Sequence, residues 1–136
     1  MADFDSQGKG PYLVAILGGL LASIVATNVC RVLGIWGTEW WYLVAAMAYL
    51  IVGIAVFLGP VRLTFAPFMI VYAAIPFGIV IDAAFDLAIW NYDRNLFPFE
   101  IALHFMFAWA PLLVGALIGR SVRSSKQLQA TASCGG

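Results

Sequence analysis

Residues Trp40 to Leu58 read WWYLVAAMAYLIVGIAVFL, a run without one charged side chain. Coiled as an α-helix at ~1.5 Å per residue it is ~28 Å long, about the thickness of the hydrocarbon core of a bilayer. Two tryptophans and a tyrosine stand at its start, where amphipathic rings favour the membrane interface, and Gly59-Pro60 closes it. The run reads as a transmembrane helix, and the rest of the chain can be fitted around it.

Upstream, an apolar run over 11–36 opens on Gly10-Pro11, and proline suits a first helical turn because its missing N–H would be unpaired there anyway. Gly34 and Gly37 mark a tight turn into the second helix. Downstream, a run over 67–90 carries Pro76, which should kink the helix by removing a backbone hydrogen bond. The most polar internal connection, Asn91-Tyr92-Asp93-Arg94-Asn95, leads to Pro98 and a fourth apolar run over 98–119. The sequence therefore predicts an all-α integral membrane protein, a single four-transmembrane-helix bundle occupying 1–120. The polar stretch 121–136 reads as a solvated, disordered tail.

Composition agrees. The 136 residues are 63% hydrophobic and 10% charged, with a mean hydropathy of +0.95, more apolar than a soluble domain of this size sustains. Four spans of roughly 20 residues use most of the length and leave no room for a second domain. The first run is not read as a removable signal peptide. Asp3 and Asp5 oppose Lys9 ahead of it, it is too long for a signal's apolar region, and no clear A-x-A site stands at its end. Cys30 lies within the first run and Cys134 near the other end, which argues against a disulfide or a thiolate metal site. No glycine-rich phosphate loop, nucleophile elbow, zinc-finger spacing or nucleic-acid signature occurs, so enzymes and nucleic-acid partners built on those motifs are excluded.

The net charge of zero hides a division along the chain. Lys9, Arg62, Arg120, Arg123 and Lys126 fall on the side of the termini, whereas Arg31 and Arg94 fall on the other. Positive residues stay in the cytoplasm, so the termini are expected inside, an N-in/C-in arrangement in a plasma membrane, the bacterial inner membrane. The opposite end holds Glu39, Asp82, Asp86, Asp93 and Glu100.

Small and polar residues recur at four-residue spacing, which stacks them on one helix face. The first helix has Gly19, Ser23, Thr27 and Arg31, beside Gly18, Ala22, Ala26 and Cys30; the third has Ala74, Gly78, Asp82 and Asp86. The fourth has Glu100, His104 and Ala108 ahead of Pro111, Gly115 and Gly119. Small residues let helix backbones approach in lipid. The second helix, richer in bulky side chains, is expected to face lipid.

The charges need partners, because a carboxylate near mid-bilayer costs about 2.5–3.5 kcal/mol even on a mild insertion scale. Counting helical turns from the connecting loops places Asn28, Arg31, Asp82, Asp86, Glu100 and His104 as one polar cluster in the outer half of the bundle. Its structural explanation is mutual pairing: Arg31 with Asp86 or Glu100, His104 with Asp82, and Glu100 at a helix N-terminus whose dipole favours an anion. Its functional explanations use Asp82, Asp86, Glu100 and His104 as catalytic candidates. The i,i+4 pairs Asp82/Asp86 and Glu100/His104 could aim ligands at a divalent metal such as zinc, manganese or iron, although one histidine falls short of a di-metal bundle. Acids at several depths with one histidine could also pass protons or a cation.

Pro98-Phe99-Glu100 resembles the P-x-E motif of the small integral-membrane lycopene cyclases, in which a carboxylic acid protonates a polyene. The resemblance covers three residues, and Pro-x-Glu at a helix start is also capping chemistry. The chain is therefore expected to be a non-enzymatic accessory subunit or homo-oligomer, its partners the lipid bilayer and other membrane subunits or itself, with no cofactor. The other expectation is a membrane enzyme or proton/cation carrier built on the Asp/Asp/Glu/His cluster, in which a channel path would need a dimer.

Overall fold

A computed structural model describes residues 9–34, 40–59, 61–90 and 97–134. Four α-helices run in order: α1 Gly10–Val32, α2 Trp40–Leu58, α3 Phe65–Trp90 and α4 Phe97–Cys134. Each is long and apolar enough to cross a membrane, and there is no strand among the described residues. The expected turn at Gly37, the connection 91–95 with Asp93 and Arg94, and the acids Asp3, Asp5 and Glu39 lie outside the described residues.

The helix ends follow local chemistry. α1 stops at Val32, short of the 36 expected, because Gly34 takes a left-handed φ of +66° and its N–H turns back to the Arg31 carbonyl at 3.1 Å. Glycine does this without the steric cost a Cβ would bring. α3 starts at Phe65, where the Thr64 carbonyl accepts from the Phe68 N–H, and it continues through Pro76 without a break.

The tail departs from expectation. α4 does not end at Gly119 but continues as helix to Cys134. No glycine or proline interrupts residues 120–134, and Lys126, Gln127, Leu128, Gln129 and Ala130 are helix formers. The hydroxyls of Ser124 and Ser125 donate to the carbonyls four residues back, Arg120 and Ser121, at 3.1 Å each, so neither competes for the helical backbone by opening a turn.

Packing is crossed with respect to sequence. α1 packs most extensively on α3 and α2 on α4; the α1·α2 and α3·α4 seams are thinner, and among the described residues the diagonal pairs do not meet. Partners within each major pair run parallel: Gly19 lies against Val71 and Ala74, and Arg31 against Asp86, while Gly53 lies against Leu112 and Ala116. Glycine makes both crossings close. A Cβ at Gly78 would stand 2.7 Å from the Leu20 carbonyl oxygen, and one at Gly53 would stand 2.6 Å from the Leu112 carbonyl oxygen. Backbone thus meets backbone, where dispersion and close approach replace the hydrophobic force that lipid does not supply.

α2 does not turn away from the bundle. Trp41, Ala45, Tyr49, Gly53 and Phe57 are all buried, an unbroken row at four-residue spacing that seats α2 on α4. The bulky residues of that row are core, and the side facing outward is the one bearing Leu43, Met47 and Ile51.

Candidate functional site

The polar residues singled out above assemble at one end of the bundle but divide between the two major helix pairs. α1 and α3 share the first group. Near the C-terminus of α1, Arg31 extends to Asp86 of α3 as a fork, with Nη1 and Nη2 donating to Oδ1 and Oδ2 at 2.7 Å each. Two parallel charge-assisted bonds of this length form the strongest pairing a guanidinium offers a carboxylate. One turn deeper, the Asn28 amide donates to Asp82 Oδ1 at 2.9 Å and to its own helix at the Ile24 carbonyl, 2.7 Å. Arg31 Nη2 also stands 3.5 Å from Asp82 Oδ2, so one cation lies beside both acids.

Parallel packing explains this register. Asn28 and Arg31 are three apart and Asp82 and Asp86 four apart, spacings that place each pair on one helix face. Both carboxylates are buried, whereas the Arg31 side chain keeps 41% of its surface exposed at the helix end. Its guanidinium thus reaches inward to the acids while the residue keeps contact with the exterior. Deeper on the same face, Ser23 and Thr27 return their hydroxyls to α1 carbonyls, Leu20 and Ile24, at 3.0 Å, and so bring no unmet polar demand to the crossing.

The second group belongs to α2 and α4. His104 is 1% exposed, and its Nδ1 shares a hydrogen bond with the Tyr49 hydroxyl. Trp41 and the imidazole pack edge to face, with ring centroids 4.7 Å apart. Glu100 is buried one turn before His104, and both it and Cys30 lie within electrostatic reach of Tyr49. The Cys30 thiol is free and approaches the Trp41 carbonyl at 4.0 Å across the α1·α2 seam. On the remaining seam, the Tyr72 hydroxyl donates to the Phe105 carbonyl at 2.7 Å.

Tyr49 and Trp41 are the residues that reading the charges overlooked. A tyrosine in mid-span must find a hydrogen-bond partner for its hydroxyl. Together with the four-residue row through Trp41 and Gly53, that requirement was the available signal.

Among the described residues, no group of three or more His, Cys, Asp or Glu side chains is placed to hold a metal ion. The geometry instead offers an ion-paired clasp between α1 and α3 and a buried tyrosine–histidine contact between α2 and α4. Comparison with family models, curated proteins and solved structures returned no match.

Proposed function

We propose that this chain is a non-enzymatic polytopic membrane protein, an accessory subunit of a larger membrane complex or a homo-oligomer. The observation that carries this reading is the forked pairing of Arg31 with Asp86, continued by Asn28 on Asp82. Both acids of α3 are engaged by side chains of α1, so their polarity is spent on helix register rather than offered to a substrate. Short connections between the helices fit a protein whose partners are other membrane segments. The five-to-two division of basic residues favours cytoplasmic termini in a bacterial inner membrane.

The test is chemical cross-linking of the full chain in native membranes at its natural abundance, with elemental analysis of the purified protein. Cross-linked species of higher mass and no stoichiometric metal are expected. A chain that remains monomeric and carries one equivalent of metal would overturn the proposal. For orientation, a cysteine placed at Asn91 should react with an impermeant maleimide on intact cells, and native Cys134 should not.

One observation favours a second reading, a membrane enzyme or proton/cation carrier using Asp82, Asp86, Glu100 and His104. Tyr49, His104 and Glu100 bring three titratable groups close together in a buried seam. His104→Gln and Asp82→Asn at matched membrane abundance separate the readings. Retained function in both variants belongs to the first reading, and folded but inactive protein to the second.

A further inference from the structure

The end of the bundle opposite the acids carries a basic cleft of about 380 Å³. It lies between the segment 61–64, which joins α2 to α3, and the part of α4 beyond Gly119. Arg120, Arg123, Ser124 and Gln127 line one wall at positions i, i+3, i+4 and i+7, a single face of the continuous helix. Arg62 and Thr64 line it from the connecting segment, and Phe57 adds apolar surface.

The three guanidiniums are not equivalent. Arg123 donates from Nη1 to the carbonyls of Gly59 at 2.8 Å and Val61 at 3.3 Å, holding the C-terminal end of α2. Arg62 and Arg120 are exposed and make no side-chain hydrogen bond or ion pair among the described residues. The described acids, Asp82, Asp86 and Glu100, are all at the far end of the bundle. Three like charges therefore share one cleft with no described counter-charge.

We propose that this cleft binds a phosphate-bearing anion. Guanidinium forks match the several oxygens of a phosphate ester, and the Thr64 hydroxyl adds a neutral donor. The cleft sits where the apolar stretches of α2 and α3 end, at Leu58 and Phe65, which is headgroup depth. Phe57, itself buried, closes the floor of the cleft. These placements favour the headgroup of an anionic phospholipid as the source, with free phosphate as the other. The proposal is independent of which way the chain faces and of whether it is a subunit or a carrier.

The test is native mass spectrometry of the full, delipidated chain in detergent, titrated separately with phosphatidylglycerol, phosphatidylcholine and inorganic phosphate. Saturable binding of phosphatidylglycerol over phosphatidylcholine is expected. Arg62→Gln with Arg120→Gln should weaken it about 30-fold, which is about 2 kcal/mol at 1.4 kcal/mol per decade. Arg123 is left in place because it holds α2. Lys9→Gln with Lys126→Gln removes the same charge outside the cleft and should change binding by less than about twofold, since a micelle carries no anionic surface potential. Saturable binding of inorganic phosphate alone, lost in the arginine variant, supports the cleft with a soluble ligand. Binding that ignores the phosphate charge, or equal losses in the two double variants, would overturn the proposal.

Discussion

Replacing Asp86 with Asn tests whether the α1·α3 clasp contributes to stability. The substitution keeps size and polarity but removes the charge that Arg31 holds through two 2.7 Å bonds. Opposite unit charges about 4 Å apart attract by about 4 kcal/mol at an effective dielectric of 20. That is a gross figure, and three observations reduce it. Asp86 is desolvated at 4% exposure, Arg31 retains 41% of its side-chain surface and with it access to water, and Asp82 stands 3.5 Å away as a substitute partner. Hydrogen bonds to charged groups contribute about 1.5–3 kcal/mol net, and exposure of one partner argues for the low end. Asp86→Asn should therefore destabilise the bundle by about 2 kcal/mol. A double-mutant cycle with Arg31→Gln should give a coupling of about 1–2 kcal/mol. Asp82→Asn should cost under about 1 kcal/mol, because the Asn28 amide can still donate to an amide oxygen at that position. Unfolding by sodium dodecyl sulfate in mixed micelles, followed by the fluorescence of the five tryptophans, supplies each free energy. A coupling below about 0.5 kcal/mol, or a larger loss from Asp82→Asn than from Asp86→Asn, would refute the assignment of Asp86 as the principal partner.

The closeness of the α2·α4 crossing is checked by Gly115→Ala, whose Cβ would meet the Leu50 carbonyl oxygen and stand 3.1 Å from the Ile54 nitrogen. It should cost about 1–3 kcal/mol in the same assay, whereas Gly10→Ala, with nothing within 4 Å of the added carbon, should be neutral. Tyr49→Phe should lower stability by about 1–3 kcal/mol through loss of the His104 contact, with His104→Gln of similar size; no measurable change in either would remove that contact from the list of stabilising features. Ser125→Pro should break the distal part of α4, reducing helicity by circular dichroism, removing anion binding at the cleft and loosening the Arg123 hold on the end of α2. Unchanged helicity would show that residues 121–134 are not helical in the membrane protein.

The four spans were legible because burial in lipid demands long uninterrupted apolar runs, and Trp40–Leu58 leaves no other reading. The spacing of Asn28 and Arg31 against Asp82 and Asp86 was legible too, since residues three and four apart must share a face. Which helix pairs with which was not. Gly19, Gly53, Gly78, Gly115 and Gly119 make every helix capable of a close crossing, and a stripe of small residues carries no label for its partner. The same ambiguity hid Tyr49, because bulky residues on α2 read equally well as core or as lipid contact. The helix beyond Gly119 was hidden for a different reason. Serine and glutamine are common in disordered segments, but here they follow a membrane helix that has already met the cost of nucleation, so continuing it is cheap.

The crossed pairing bears on how the chain is made. Arg31 leaves the ribosome long before its partner, because Asp86 is separated from it by 55 positions and by the whole of α2. The α1–α2 hairpin must therefore enter the bilayer with Arg31 not yet paired to Asp86, tolerable because Arg31 sits at the helix end where its side chain can reach the headgroups. Neither sequential hairpin contains a major interface of the finished molecule, so cooperative assembly waits until α3 and α4 have been inserted. A truncation after α2 should leave a substrate for membrane proteases rather than a smaller stable bundle, and nascent-chain lifetimes should lengthen first once α3 has cleared the translocon and again after α4.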